Sequence, residues 1–181
     1  MALALSGTSN GSLNNLSLSG NTATIVDTGR AGGIIQVVQA TTSTAVTVST
    51  TTFTDTTLTA SITPSSSSNK ILVHVLQQFV SIRGTGTGIG MGLQLLRDST
   101  TVWAPIQNST GPYHWYSNVT EIDGYASINF LDSPATTSSV TYKTQGRPYT
   151  TAGTGSVNFQ NSAGGVVVSP VSTIVLMEVV A

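Results

Sequence analysis

Few residues of this 181-residue chain have the chemistry that catalysis needs. Cysteine is absent, and the only histidines are His74 and His114. His74 stands among Val73, Val75 and Leu76, which is more typical of a core or interface histidine than of a general base. No Gly-x-Ser-x-Gly elbow occurs, and the glycines at 84, 86, 88, 90 and 92 match neither a dinucleotide-binding motif nor a phosphate loop. The sequence therefore predicts a protein without catalytic residues and without a cofactor.

Two neighbouring carboxylates are the candidate for a metal site. Glu121 and Asp123 lie two residues apart, so in an extended strand both side chains point to the same face. Together with loop carbonyls they could hold a hard cation. Two carboxylates without a third are more often simply solvated, and we expect no metal here. The acids as a whole are too scattered to form the carboxylate pair of a glycan-cleaving enzyme.

The densest aromatic cluster follows a predicted loop at 106–111. Tyr113, His114, Trp115 and Tyr116 are consecutive, and amide side chains lie on either side of them. Sugar rings stack on aromatic rings of this kind, and Tyr and Trp are also enriched in protein interfaces. Alternate members of the cluster could instead pack in the core. We treat these four residues as a candidate glycan-binding site, with core packing as the alternative.

The segment around His74 is predicted to be a central strand covering residues 70–83. Residues 71, 73, 75, 77 and 79 form one alternating set and residues 72, 74, 76, 78 and 80 the other, and both sets are mostly apolar. Such a strand is expected to be covered on both faces. Residues 173–180 show the same pattern and are predicted to be its neighbour. A two-sheet domain has one interior, so the second face is covered either by other strands or by another subunit.

The glycines that follow this strand repeat with a period of two. In an extended chain they would share one face, which lets a backbone or an aromatic ring approach closely. The alternative is a flexible glycine loop.

Short strands separated by turn residues continue from Gly33 onwards, without a helical period. The predicted strands are 34–39, 45–49, 52–62, 70–83, 89–97, 101–104, 113–119, 121–131, 140–146, 157–160, 166–168 and 171–180. This spacing predicts an all-β antiparallel sandwich of the jelly-roll type with about ten strands.

Residues 1–32 differ from the rest and are predicted to be an N-terminal attachment arm. Glycine and asparagine interrupt short apolar pieces, which leaves room for one or two short strands at most. The arm cannot bury its own leucines, which are Leu3, Leu5, Leu13, Leu16 and Leu18. We expect them to dock on a partner protein, with a frayed terminus as the alternative. The predicted domains are therefore the arm at 1–32 and the sandwich at 33–181.

The composition excludes several classes of partner. Only 7% of residues are charged and the net charge is −1, whereas roughly 25% is average for soluble domains. The few cations are scattered, so neither nucleic acid nor an anionic membrane is expected as a partner. The absence of cysteine favours folding in a reducing cytosol, and Met1–Gly7 lack the cationic region of a signal peptide. So few charges indicate that partners cover much of the surface.

Strand and turn motifs follow one another in a recognisable order between residues 32 and 181. They are Gly32–Gln39, Phe53–Val73, Leu95–Asp98, Phe130–Pro134, Val140–Lys143 and Ser172–Val179. In this order they resemble the short β-domains at the ends of virion proteins of tailed bacteriophages. Such domains are similar in layout to the trimeric jelly rolls of the complement C1q and tumour-necrosis-factor type.

The resemblance implies a homotrimer in which the two doubly apolar strands lie near the threefold axis. The side chains that it places in the trimer contact are Val73, Val75, Phe79, Val175 and Met177. It also implies a non-enzymatic virion component, made in the host cytoplasm and attached through its arm to capsid or neighbouring virion proteins. Phage fibres usually have a long shaft where this chain has about 32 residues, so we expect a decoration or cement protein. The alternative is a tail- or head-fibre tip that binds a host-surface carbohydrate.

Overall fold

The computed structural model describes residues 31–50, 52–82, 90–104, 121–148, 154–157 and 170–181. Within these residues the chain forms ten β-strands and no helix. The strands are β1 (Ile34–Thr42), β2 (Val46–Val48), β3 (Thr54–Ile62), β4 (Lys70–Ile82), β5 (Met91–Arg97), β6 (Thr100–Trp103), β7 (Glu121–Asp132), β8 (Val140–Pro148), β9 (Thr154–Val157) and β10 (Ser172–Val179).

The strands form two antiparallel sheets that pack face to face. The larger sheet has the order β1-β10-β4-β9-β2, and β7 pairs with the other edge of β4. The smaller sheet has the order β3-β8-β5-β6. When the short strands β2 and β9 are set aside, β1-β10-β4-β7 and β3-β8-β5-β6 have the strand order of a jelly roll. The predicted all-β sandwich is confirmed, and so is the pairing of the two doubly apolar strands, β4 and β10.

Most predicted strands are present, with ends that differ by a few residues. The exception is β9, which overlaps the predicted strand 157–160 in Val157 alone. Its sequence, Thr-Gly-Ser-Val, lacks the alternation that identifies a strand, and pairing with β2 and β4 defines it instead. The predicted strands 113–119 and 166–168 lie outside the described residues.

The interior is built from alternate residues of strands in both sheets. In β3 every second side chain from Thr56 to Ile62 is buried, and β8 shows the same alternation from Val140 to Pro148. The largest apolar side chains that are fully buried in this core are Leu58, Ile62, Ile71, Leu93, Leu95, Ile128, Tyr142, Ile174 and Leu176. Each fully buried aliphatic side chain contributes about 1.5–3 kcal/mol, so this core is the main source of stability.

A cluster of polar side chains joins the two sheets inside this apolar core. The Oε1 atom of Gln77 in β4 accepts hydrogen bonds from the hydroxyls of Thr56 (3.1 Å) and Thr144 (2.9 Å) in the smaller sheet. Its Nε2 atom donates to the Oγ of Ser172 in β10 (2.8 Å), which also accepts from the Gln78 amide (2.9 Å). A shift of register would leave a buried amide unpaired at a cost of about 1–3 kcal/mol, so the cluster favours one alignment of the sheets.

Asp132, the last residue of β7, links the sheets at one end of the sandwich. Its Oδ2 atom accepts hydrogen bonds from Arg97 Nη1 (2.5 Å) and from the Tyr142 hydroxyl (2.6 Å). Tyr142 is fully buried, and burial together with the bond to Asp132 raises the pKa of its hydroxyl far above the ordinary value. The hydroxyl is therefore held in its neutral form, as a hydrogen-bond donor.

Glu178 of β10 fixes the turn that leads into β4. Its side chain is 1% exposed, and its Oε1 atom accepts three hydrogen bonds of 2.7 Å, from the amide and hydroxyl of Ser65 and from Asn69 Nδ2. Burial alone would raise the pKa of this carboxyl, but the bonds from Asn69 and Ser65 outweigh it and hold the pKa below its ordinary value. The turn is thereby bound to the larger sheet through a charged acceptor.

Three of the described non-glycine residues have a positive φ: Thr57 (67°), Asp98 (54°) and Ala135 (53°). Thr57 lies at the register shift of β3 against β8, where the strand bulges. Asp98 begins the predicted turn between β5 and β6, and its Oδ1 atom accepts from the Thr141 amide (2.9 Å). Ala135 is an exposed loop residue, and no contact of its side chain offsets the cost of the positive φ.

One glycine of the series, Gly92, is closely approached by another group. The nearest group is an arginine side chain, whereas the sequence predicted a backbone or an aromatic ring. Gly92 stands opposite Arg147 in the register of β5 and β8, and a Cβ at this position would lie 3.3 Å from Arg147 Cγ. The Arg147 guanidinium carbon lies 4.8 Å from the centre of the Phe53 ring. A long cationic side chain therefore lies closest to this glycine, and the backbone oxygen of the same arginine follows at 3.8 Å. Residues 83–89 are outside the described part of the chain.

Candidate interaction surface

An apolar row crosses four neighbouring strands on the outer face of the larger sheet. Val37 of β1 pairs with Met177 of β10, Met177 pairs with Leu72 of β4, and Leu72 pairs with Leu131 of β7. Residues directly opposite each other in an antiparallel ladder share a face. Val37 is 60% exposed and Leu131 is 48% exposed, while Leu72 and Met177 are half-buried by their neighbours. These four residues are called the outer row below.

Apolar and uncharged polar side chains continue on the same face beside the outer row. Val175 pairs with His74, and His74 pairs with Asn129 on its other side. Leu76 is 44% exposed and Tyr125 is 52% exposed. The apolar surface therefore extends beyond a single row, with polar groups that can form hydrogen bonds among its members.

Charged side chains on this face lie at its ends. Lys70 stands at one end of β4, and Asp123 stands opposite Val80 near the other end. Between these two positions, the described outer positions of β1, β10, β4 and β7 carry no Asp, Glu, Lys or Arg. The centre of the face therefore carries no acidic side chain, lysine or arginine.

The outer face of the smaller sheet has the opposite character. Its side chains include Asp55, Thr57, Thr59, Ser61, Gln94, Thr141, Lys143, Gln145 and Arg147. Lys143 Nζ lies 2.9 Å from Asp55 Oδ2, Gln145 Nε2 donates to Asp55 Oδ1 (2.7 Å), and the contact with Lys143 lowers the pKa of Asp55. Ser61 and Thr141 share a hydrogen bond of 2.8 Å. These groups are satisfied by one another and by water, so this face needs no partner.

The two outer faces of one sandwich thus differ in what they require. Contiguous exposed apolar surface marks sites of protein interaction, because covering it is favourable by about 25 cal/mol per Å². The polar face provides an internal comparison, because the outer face of the smaller sheet in the same chain is hydrophilic. The outer face of the larger sheet is therefore the candidate functional site, and its chemistry is that of a contact surface.

A shallow depression on the polar face is too small to change this conclusion. It encloses about 130 Å³ and is lined by Asp55, Thr57, Leu58, Thr59, Lys143 and Thr144. Sites for small molecules usually enclose about 300–1,000 Å³. The depression has room for a few water molecules at the bulge of β3.

The predicted trimer-contact residues divide between the two faces of the larger sheet. Val73, Val75 and Phe79 are at most 3% exposed in the single chain, because the smaller sheet covers them. Side chains buried in their own protomer cannot contact another subunit. Val175 and Met177 lie on the outer face and remain half-exposed. The outward set of β4, which the alternation alone could not distinguish from the inward set, is therefore the one that another molecule can reach.

Two other groups of predicted site residues lie outside the described residues. They are the arm leucines Leu3, Leu5, Leu13, Leu16 and Leu18, and the aromatic cluster Tyr113, His114, Trp115 and Tyr116. Docking of the arm and binding of a glycan stay predictions.

The candidate metal site is described in part. Asp123 is exposed, whereas the side chain of Glu121 is outside the described set. Among the residues described, no group of three or more His, Cys, Asp or Glu side chains could hold a metal ion. The same part of the chain contains no helix long and apolar enough to span a membrane.

Sequence reasoning missed three members of the outer row, namely Val37, Leu72 and Leu131. For Leu72 the available signal was the second apolar set of β4. Val37 lies in an apolar stretch that Gln36 and Gln39 interrupt without a regular period, and β1 has a register shift between Ile34 and Gln36, so no alternation assigns Val37 to a face. Leu131 precedes Asp132 at the end of β7, and only the pairing with Leu72 places it on the outer face.

No protein-family model and no curated protein matches the chain. Among solved structures it is similar to the crystal structure of the infectious bursal disease virus VP2 subviral particle, at 14% identity and a TM-score of 0.38, covering 81% of this chain and 37% of that chain. The T13 particle of the same virus matches at 14% identity and a TM-score of 0.38, covering 81% and 36%. The structure of its Gt strain matches at 17% identity and a TM-score of 0.31, covering 83% and 37%. The chain thus spans little more than a third of the chains it matches, and likeness at this level identifies neither family nor function.

Proposed function

We propose that the protein is a non-enzymatic structural component of a virion. In its finer form, the proposal is a homotrimeric decoration or cement protein on the surface of a tailed-phage particle. The observation that carries it is the outer row, an exposed apolar surface across four strands of a sandwich whose other outer face is polar. The resemblance of residues 32–181 to phage virion domains supplies the virion as the setting.

The hydrogen bonds that hold the sandwich together support a structural role. Gln77 joins the sheets in the interior, Asp132 joins them at one end, and Glu178 binds the turn before β4. Each of these polar groups is used to fix the position of strands. A rigid body of this kind can present a surface to partners without rearranging, which lowers the cost of association.

Attachment to the particle is assigned to the N-terminal arm. Five leucines that bury half of their side chains on a partner would contribute on the order of 5 kcal/mol per arm. Three arms on one trimer act together, so their combined affinity greatly exceeds that of one arm. The arm and the sandwich then have separate roles, with the arm binding capsid or neighbouring virion proteins.

A truncation tests this division. A variant without residues 1–30 keeps Gly32 and Gly33, whose backbones bond to Val180. We expect an unchanged unfolding temperature and loss of binding to particles that lack the native protein. A full-length variant with Leu13, Leu16 and Leu18 changed to Ser is the matched control for chain length, and it should lose binding as well. Unfolding of the truncated protein would assign these leucines to the core, and intact particle binding would place attachment on the sandwich. Absence of the protein from purified particles would refute the virion role.

A further inference from the structure

We infer that the outer face of the larger sheet is the contact between copies of this chain, with the outer row at its centre. The inference rests on the homotrimer of the proposed function and names the surface that forms it. The occupant of this face is a second copy of the chain, and not the particle.

The first argument concerns what can cover an uncharged apolar row. Packing the outer face of the smaller sheet against it would bury the ion pair of Asp55 and Lys143 beside Leu72, and the cost of removing both charges from water can exceed their mutual attraction. Among the described surfaces, the face that offers apolar side chains without central charges is the same face on another copy. When two such faces meet, no charged group in the centre loses its water.

The second argument concerns area. Four strands about 4.8 Å apart and seven residues of about 3.3 Å each give a face of roughly 19 Å by 23 Å, or about 440 Å² in projection. Two such faces together come to about 880 Å², short of the roughly 1,000 Å² that a specific interface requires, whereas three faces that converge on a threefold axis bring about 1,300 Å² together. Tyr125, at 52% exposure, extends the surface further along β7. Three copies around one axis therefore supply the area that a stable contact needs without any additional partner.

The third argument concerns specificity. His74 is exposed near the centre of the face, between Val175 and Asn129 in the register. A polar imidazole and amide among aliphatic side chains favour alignments in which they find hydrogen-bond partners. This gives the contact a preferred alignment, which an entirely apolar face would lack.

The test is the oligomeric state of charged variants of the full chain. Wild-type protein at micromolar concentration should have three times the mass of one chain in mass photometry and sedimentation. Leu131→Asp and Val37→Asp introduce a charge at positions that are about half exposed, so the protomer can still fold. We expect each to raise the dissociation constant on the order of 100-fold or more, as loss of a central contact does. Thr59→Asp, on the polar outer face, is the matched control and should leave the mass unchanged.

Circular dichroism and thermal unfolding confirm that each variant is folded, and Leu131→Gln replaces any variant that is not. A monomeric wild-type protein, or assembly that survives both charged variants, would overturn the inference. The particle-binding assay separates this result from the proposed function. A monomer that still binds particles contradicts the contact between copies alone, whereas a trimer that is absent from particles contradicts the virion role alone.

Discussion

The hydroxyl of Tyr142 donates to the same carboxylate oxygen of Asp132 that accepts from Arg97. Tyr142 belongs to the smaller sheet and Asp132 to the larger, so this bond crosses the interface between the sheets at one end of the sandwich. Asp132 is 7% exposed, and its two donors satisfy the hydrogen-bonding capacity of a buried carboxylate oxygen.

Tyr142→Phe should lower the free energy of unfolding by about 1–3 kcal/mol, because it removes one donor from a buried carboxylate while leaving the ring in place. Urea denaturation monitored by fluorescence measures the change. Tyr125→Phe is the control, since Tyr125 is half exposed on the outer face and should change stability very little. Equal effects of the two substitutions would mean that the bond to Asp132 adds nothing.

Glu178→Gln should weaken the turn before β4 and make the protein less sensitive to acid. The folded-state pKa of Glu178 lies below its ordinary value. The stability that its carboxylate contributes is therefore fully present above the unfolded pKa and is lost as the pH falls through the lowered folded value. At pH 7 the substitution should cost about 2 kcal/mol, because it replaces a charged acceptor of three hydrogen bonds.

Unfolding free energies measured between pH 7 and pH 3, at intervals of about half a pH unit, test this expectation. The difference between wild type and Glu178→Gln should shrink as the pH falls. Asp123→Asn changes an exposed acid, and its unfolding free energy should fall at low pH as it does in the wild type. A difference that stays constant with pH would show that Glu178 acts through shape and not through its charge.

Ala135→Gly should stabilise the protein. Ala135 has a φ of 53° in an exposed loop, and a left-handed conformation costs an alanine about 1–2 kcal/mol. Glycine adopts it freely but loses more entropy on folding, so the net gain should be about 0.5–1 kcal/mol. Ala104→Gly, at an exposed loop position without a positive φ, should be neutral or destabilising in the same thermal unfolding assay. Destabilisation by Ala135→Gly would contradict the assigned backbone conformation.

Trp115→Ala tests the alternative role as a glycan-binding tip. If the aromatic cluster stacks on sugar, the substitution should abolish binding on a glycan array or to host cells. His74→Ala is a comparison outside the cluster that should leave glycan binding unchanged. Binding that survives Trp115→Ala would remove this cluster as the glycan site.

The alternation of β4 and β10 was sufficient to predict that these strands are central, adjacent and apolar on both faces. It could not tell which set points inward, because both sets are mostly apolar and the inward set even contains Gln77. The position of the smaller sheet decides between them, through contacts between residues far apart in the sequence such as Thr56 and Thr144 with Gln77. The outer row could not be predicted for the same reason, because its four members come from four strands and share no local sequence pattern.

The place of β10 in the larger sheet has a consequence for how the protein is made. β10 lies between β1 and β4, although about ninety residues separate it from β4 in the sequence and about one hundred and thirty separate it from β1. A chain emerging from the ribosome presents β1 and β4 long before the strand that joins them exists. Both strands stay unpaired along the edges that face β10 until translation has passed residue 179. Pairing between strands so distant in the sequence is also slow to form. Growing chains are therefore exposed to pairing with one another on the same polysome, and the order of synthesis favours encounters between neighbouring copies.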